Sequence, residues 1–228
     1  MSAMRITRLA MIAAIAVFSI GADKPHPDWT THVTVTDKGS HILGDPEADV
    51  RLTEFISYTC SHCADFHKQS EAPLKIGYVH SGKVSVEIRH MLRDPIDLTV
   101  AMLTNCGDPK RFFLNHSMFL HRQDSWLKAL NTASEVQKHR WVSGTRVARM
   151  QAIANDFGFY RIMEQRGYDR PTVNRCLADE AMAKRLTAQT QAASNAGVEG
   201  TPSFMLDGIL LTGTHDWQSL NLQLQARM

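Results

Sequence analysis

The 228 residues are 43% hydrophobic, enough for one sizeable domain or for a domain carrying a large insertion. Lys and Arg number 25 against 23 Asp and Glu, and no basic stripe with interleaved aromatics is present, which argues against nucleic-acid binding. The even number of cysteines, 4, suits an oxidising compartment where pairs persist as disulfides.

Residues 1–22 differ in character from the rest. Arg5 and Arg8 precede an apolar run from Leu9 to Ile20, and small residues follow at Gly21 and Ala22. At about 12 residues the run is shorter than the roughly 20 a spanning helix needs. The segment therefore reads as a cleavable signal peptide, which makes the mature chain periplasmic or secreted. Without it the charges balance, at 23 of each sign.

His32-Val33-Thr34-Val35-Thr36 alternates like a half-buried strand, and Gly44-Asp45-Pro46 forms a turn. Val50 to Ile56 alternates too and stops just before Thr59-Cys60-Ser61-His62-Cys63-Ala64, so the cysteine pair sits where a strand finishes. Ser61 to Ser70 lacks Gly and Pro and places Cys63, Phe66 and Ser70 at helical spacing, until Pro73 kinks or stops the helix. Val84 to Ile88 is another strand, which completes a βαβ unit and implies parallel pairing in a buried sheet.

From Asp94 to about Leu177 the period becomes helical. Asp108-Pro109 opens a helix with Phe112, Phe113, His116, Phe119 and Leu120 on one face. Thr145 to Phe157 repeats the period and Gly158 closes it, while Pro171 begins a short helix with Val173, Cys176 and Leu177. A longer helix follows from Glu180 to Asn195. Gly200-Thr201-Pro202 then precedes two apolar runs joined by Asp207-Gly208, a hairpin signal, and the last helix carries Trp217, Leu220 and Leu224.

Cys-x-x-Cys alone allows three chemistries. It could be an inert staple, although so small a ring removes little chain entropy. It could hold copper or zinc, because Cys60, Cys63 and His67 form C-x2-C-x3-H, but no convincing fourth ligand follows. It could exchange disulfides, which needs one thiolate and a second thiol able to resolve the mixed disulfide. A helix N-terminus at Cys60 favours the anion through its unpaired N–H groups and macrodipole, an effect of about 1 kcal/mol. Cys106 and Cys176 both lie in the helical stretch on apolar-looking faces. If joined they close a loop of about 70 residues, for which chain entropy gives on the order of 4 kcal/mol; the alternative is two buried free thiols.

Four pieces together resemble the DsbA-like thiol:disulfide oxidoreductases of the thioredoxin superfamily: Leu43 to Val50, Glu54 to Cys63, Gly197 to Phe204, and the helical stretch between them. The resemblance implies an α/β thioredoxin fold with an inserted all-helical domain, the fold domain spanning 29–93 and 178–228 and the insertion 94–177. It implies redox chemistry at Cys60 and Cys63, with Cys60 the nucleophile and Cys63 the resolving thiol. Ser61 and His62 would tune the pair, His62 by stabilising the Cys60 thiolate. Thr201-Pro202 would be a cis peptide facing the cysteines and binding an extended client strand. Glu54, six residues before Cys60, would be a buried acid relaying a proton to Cys63; an edge position facing solvent is the other reading.

Several oxidases of the family carry Pro-His between the cysteines and Val before the cis-proline, where this chain has Ser61-His62 and Thr201. Thr at that position also occurs in isomerases, so oxidase, reductase and isomerase stay open. The expected partners are folding secreted proteins and a membrane or soluble redox partner that resets the pair, with no cofactor and no resident metal. Only about ten residues separate the leader from the first strand, too few for a long dimerisation arm, and a monomer is expected.

Overall fold

The computed structural model describes residues 27–228, so the signal-peptide expectation for 1–22 lies outside the described residues. A six-stranded sheet is built from β1 (Val33–Val35), β2 (His41–Leu43), β3 (Val50–Ile56), β4 (Val84–His90), β5 (Ser203–Leu206) and β6 (Ile209–Leu210). The spatial order is β1-β2-β4-β3-β5-β6. β3 and β4 are parallel, joined through helix α1 (Ser61–Ala72), and the other neighbours are antiparallel. The βαβ unit read from the sequence is thus the centre of the sheet.

Because β3 has β4 on one side and β5 on the other, it is covered on both faces. Leu52 through Ile56 are all buried, and only Arg51 is exposed. The buried parallel pairing expected of this segment is present, and a central strand gives Glu54 no edge from which to reach solvent.

Helix α1 ends at Ala72 with Pro73 as its C-cap, as the proline leads one to expect. The chain continues as a wide π-type turn from Pro73 to Tyr78 and a 3-10 turn from Val79 to Ser81. Proline removes one donor from the ladder, and wider i→i+5 spacing lets the chain keep coiling beyond it.

Between β4 and the returning helix lies a run of helices: α2 (Pro95–Thr104), α3 (Phe112–His121), α4 (Gln123–Trp126), α5 (Lys128–Thr132), α6 (Glu135–Val142), α7 (Arg146–Asp156), α8 (Phe159–Gln165) and α9 (Arg170–Ala178). Their starts follow capping chemistry. Asp94, Ser134, Thr145 and Asp169 each accept a backbone N–H of the first turn, and Pro95 and Pro171 sit where a missing N–H costs nothing. Phe112, Phe119, Met150, Ile153, Val173 and Leu177 are buried in the same hydrophobic cluster as Leu52, Ile56 and Cys63 of the sheet side. Helix α10 (Glu180–Asn195) then packs on β4, and α11 (Trp217–Gln225) lies beside α1. Gly197 after α10 has φ +83°, and Asp207-Gly208 turns β5 into β6 with positive φ at both residues. No helix among the described residues is long and apolar enough to cross a membrane.

Candidate active site

The site forms where β3 ends. Four residues of loop, Ser57 to Cys60, carry the chain from the strand into α1, and Cys60 is the N-cap of that helix. An N-cap side chain normally offers an oxygen to the N–H groups of the second and third helical residues. No such side-chain cap hydrogen bond forms at Cys60, whose sulfur instead lies where the N–H groups of Cys63 and His62 favour its anion.

The result is a Cys60 thiol lowered from 9.0 to about 5. The largest cause is a hydrogen bond from the Cys63 side chain; the Thr201 side chain and the N–H groups of Cys63 and His62 add to it, against the opposing effect of burial. In its protonated form Cys60 Sγ donates to the Thr201 carbonyl at 3.1 Å, a contact that the thiolate gives up. Cys63 is wholly buried and moves the other way, its thiol pushed well above 9.0 by burial first, then by Cys60 and Glu54. The two sulfurs are unbonded and differ sharply in acidity, as an attacking and a resolving thiol must. Cys60 as a residue is only 4% exposed, less open than an attacking thiol is expected to be, because the Thr201 loop lies across it.

That loop is placed by register. β5 pairs antiparallel to β3 with Ser203 opposite Phe55, so Thr201 and Pro202 continue past the end of β3 toward the cysteines. The Thr201–Pro202 peptide is cis. His215 Nδ1 lies 3.0 Å from the Pro202 carbonyl.

Ser61 and His62 are the first residues of α1 and both are exposed. His62 acts on Cys60 through its backbone N–H. Among the described residues no hydrogen bond joins its imidazole to either sulfur, so the expected side-chain contact is replaced by a main-chain one.

Glu54 is 2% exposed, its Oε1 has no hydrogen-bond partner, and burial raises its carboxyl to about 8. It borders a cleft of about 70 Å³ that continues past His67, Ser70 and His116 to Glu71 and Lys75.

Several residues that hold the site carried no sequence signal. Asp97 is fully buried and accepts from Ser57 Oγ at 2.6 Å, Tyr58 N–H at 2.7 Å and Arg93 N–H at 3.0 Å; burial raises it to about 7. Asp94, the cap of α2, accepts from Thr59 Oγ1 at 2.7 Å. Gln123 of α4 donates to the carbonyls of Tyr58 and Cys60. The Asp94-Pro95 cap motif was the one available clue, since a helix start so close to β4 puts its first turn beside the end of the neighbouring strand β3.

Cys106, just after α2, is bonded to Cys176 of α9, with 5.5 Å between their Cα atoms. The bridge ties the first and last helices of the helical run, with Cys106 in the buried core and Cys176 partly buried against it.

A central parallel strand pair, a cysteine pair at the N-terminus of the crossover helix and a cis-proline loop against it define a thioredoxin fold with a paired-cysteine site. Residues 36–226 match the family model described as Thioredoxin, and the chain belongs to that family. A crystal structure of a protein-disulfide isomerase from Novosphingobium aromaticivorans is 53% identical, covers 82% of this chain and 96% of its own, and superposes with a TM-score of 0.80. α-DsbA1 of Wolbachia pipientis shares the fold at 20% identity, with a TM-score of 0.67 over 84% of this chain and 92% of its own. A Rickettsia felis protein provisionally named a protein-disulfide oxidoreductase is 27% identical over 81% of this chain, but the match spans 59% of that relative's length.

Proposed function

We propose that the protein is an exported oxidase that donates its Cys60–Cys63 disulfide to folding secreted proteins. The observation that carries this reading is the raised acidity of Cys60 at the start of α1, with Cys63 held as a thiol. A client thiolate attacks Cys60 Sγ, the Cys60–Cys63 bond breaks, and Cys63 leaves as a thiolate. The Cys63 thiolate takes up a proton, with Glu54 as the nearby buried acid that can supply it. A second client thiolate attacks the client sulfur of the mixed disulfide, and Cys60 departs as a stable thiolate. Two electrons have then passed from client to protein, and a redox partner withdraws them to restore the disulfide. Export is supported by the leader-like residues 1–22 and by the Cys106–Cys176 bridge, which suits an oxidising compartment.

A second reading, disulfide isomerisation, is favoured by Thr201 and by the name of the 53% identical relative. One experiment separates them. Supplied with a reduced, unfolded client, the oxidised protein forms client disulfides stoichiometrically, whereas Cys63→Ser, which has no Cys60–Cys63 disulfide to donate, does not, and instead traps a mixed disulfide through Cys60 when given a client that already carries disulfides. Failure to oxidise that client, together with repair of a scrambled one by the reduced protein, assigns isomerase instead.

A further inference from the structure

Two turns into α1, on the side away from the sheet end of the site, three metal-type donors converge. His67 and Glu71 are one helical turn apart on α1, and His121 reaches them from the last turn of α3. One ligand atom from each lies within 4.8 Å of the others. His121 Nε2 is 2.7 Å and His67 Nε2 3.6 Å from the same oxygen, Glu71 Oε2. The imidazole centroids of His67 and His121 are 5.3 Å apart.

A second, independent observation concerns His67 alone. The residue is 7% exposed, yet its Nε2 has no hydrogen-bond partner. Burying an unpaired polar nitrogen costs free energy, and this one faces the Glu71 carboxylate at a distance too long for a hydrogen bond. A cation between them would satisfy it.

We propose that His67, Glu71 and His121 form a binding site for a late first-row divalent cation, with Zn2+ the best fit. Two imidazoles and one carboxylate suit Zn2+ by ligand type, and three protein ligands leave a fourth position open. Tetrahedral coordination with bonds of about 2.0–2.1 Å sets neighbouring ligand atoms about 3.3 Å apart. His67 and Glu71 already stand near that spacing, while His121 must retreat slightly from Glu71. The proton shared between His121 Nε2 and Glu71 leaves Nε2 as the metal binds, either to solvent or to Nδ1 of the same ring. The bound ion would pin α1, the helix that carries Cys60 and Cys63, to α3 of the helical run.

This site differs from the sulfur set Cys60, Cys63 and His67, and it does not rest on the exchange reading. The test is calorimetric titration of ZnCl2 into untagged protein with Cys60–Cys63 oxidised, so that no active-site thiolate is available. One Zn2+ per chain is expected, with a rise in melting temperature. His121→Ala, a substitution at an exposed side chain, and Glu71→Gln are each expected to weaken binding more than about tenfold, while client oxidation without added metal stays as in the unsubstituted protein. Unchanged binding in His121→Ala, or no uptake by oxidised protein, overturns the proposal. Uptake only by reduced protein that is lost in Cys60→Ser assigns the metal to the cysteines and overturns it equally.

Discussion

The side-chain amide of Gln123 donates to the main-chain carbonyl of Cys60 at 2.8 Å, and the same nitrogen donates to the Tyr58 carbonyl at 2.7 Å. A fully buried glutamine from α4 thus holds the loop that sets the nucleophile at the helix start. Gln123→Ala leaves two buried carbonyls without this donor. A loss of about 1–3 kcal/mol in urea unfolding is expected, with slower client oxidation. A variant within about 0.5 kcal/mol of the parent would assign the loop's rigidity to Asp94 and Asp97 instead.

Glu54 gives a stability difference whose sign reverses ordinary acid denaturation. Its folded value of about 8 lies above the ordinary 4.5, so the folded state keeps a proton that the unfolded chain releases. The associated stability is full below about pH 4.5 and is lost as pH rises through 8. At pH 7 the buried carboxyl costs about 3 kcal/mol. Glu54→Gln is therefore expected to be more stable by up to that amount at pH 7, with the advantage gone at pH 4, and to resolve mixed disulfides more slowly. Equal unfolding midpoints at pH 7 would show that Glu54 is ionised in the folded protein at no cost.

Cys60 runs the other way. Its folded value of about 5 is below the ordinary 9.0, so it stabilises the reduced protein fully above pH 9 and ceases to do so as pH falls through 5. At pH 7 the contribution is about 3 kcal/mol. With Cys63 still a thiol, reduction near neutrality takes up one proton for two electrons. The potential should then change by about 30 mV per pH unit between pH 5 and 8, steepening to about 59 mV below pH 5. Ultraviolet absorbance of the thiolate gives the midpoint directly, and a midpoint near 9 would contradict the geometry around Cys60.

The Cys106–Cys176 bridge spans 70 residues of chain. Loop entropy at that length is about 4 kcal/mol, so Cys106→Ala/Cys176→Ala should unfold at markedly lower urea with the Cys60–Cys63 chemistry intact. Because Cys60, with its lowered pKa, is the better leaving thiolate, mild reductant should open Cys60–Cys63 first. Mass spectrometry after timed alkylation checks the order.

Much of this was legible in the sequence where the signal is local. The β3-α1-β4 unit, α10 and its terminal glycine, and the Asp207-Gly208 hairpin each follow from periodicity and turn chemistry within a dozen or so residues. The position of Cys60 was legible for the same reason, since a cysteine at the junction of strand and helix is a local pattern. What lies outside that reach is long-range. Gln123 sits in a four-residue helix with no apolar period, and Asp97 looks like an ordinary first-turn acid. Their burial comes from packing against a loop 63 and 39 residues away in sequence. His116 likewise read as one more position on the apolar face of its helix, and only folding brings its ring to 4.9 Å from that of His67. Pro73 marked the end of α1, but the wide turn that follows it, with Leu74 and Tyr78 buried, carried no local signal.

Redox equilibration of the purified protein against glutathione tests the central claim most directly, because the potential integrates every contact that favours the Cys60 thiolate. The account predicts a potential less negative than roughly −180 mV, toward the oxidising end for thioredoxin-fold proteins. A value near −270 mV, that of a reductase such as thioredoxin, would contradict it and reverse the direction of exchange.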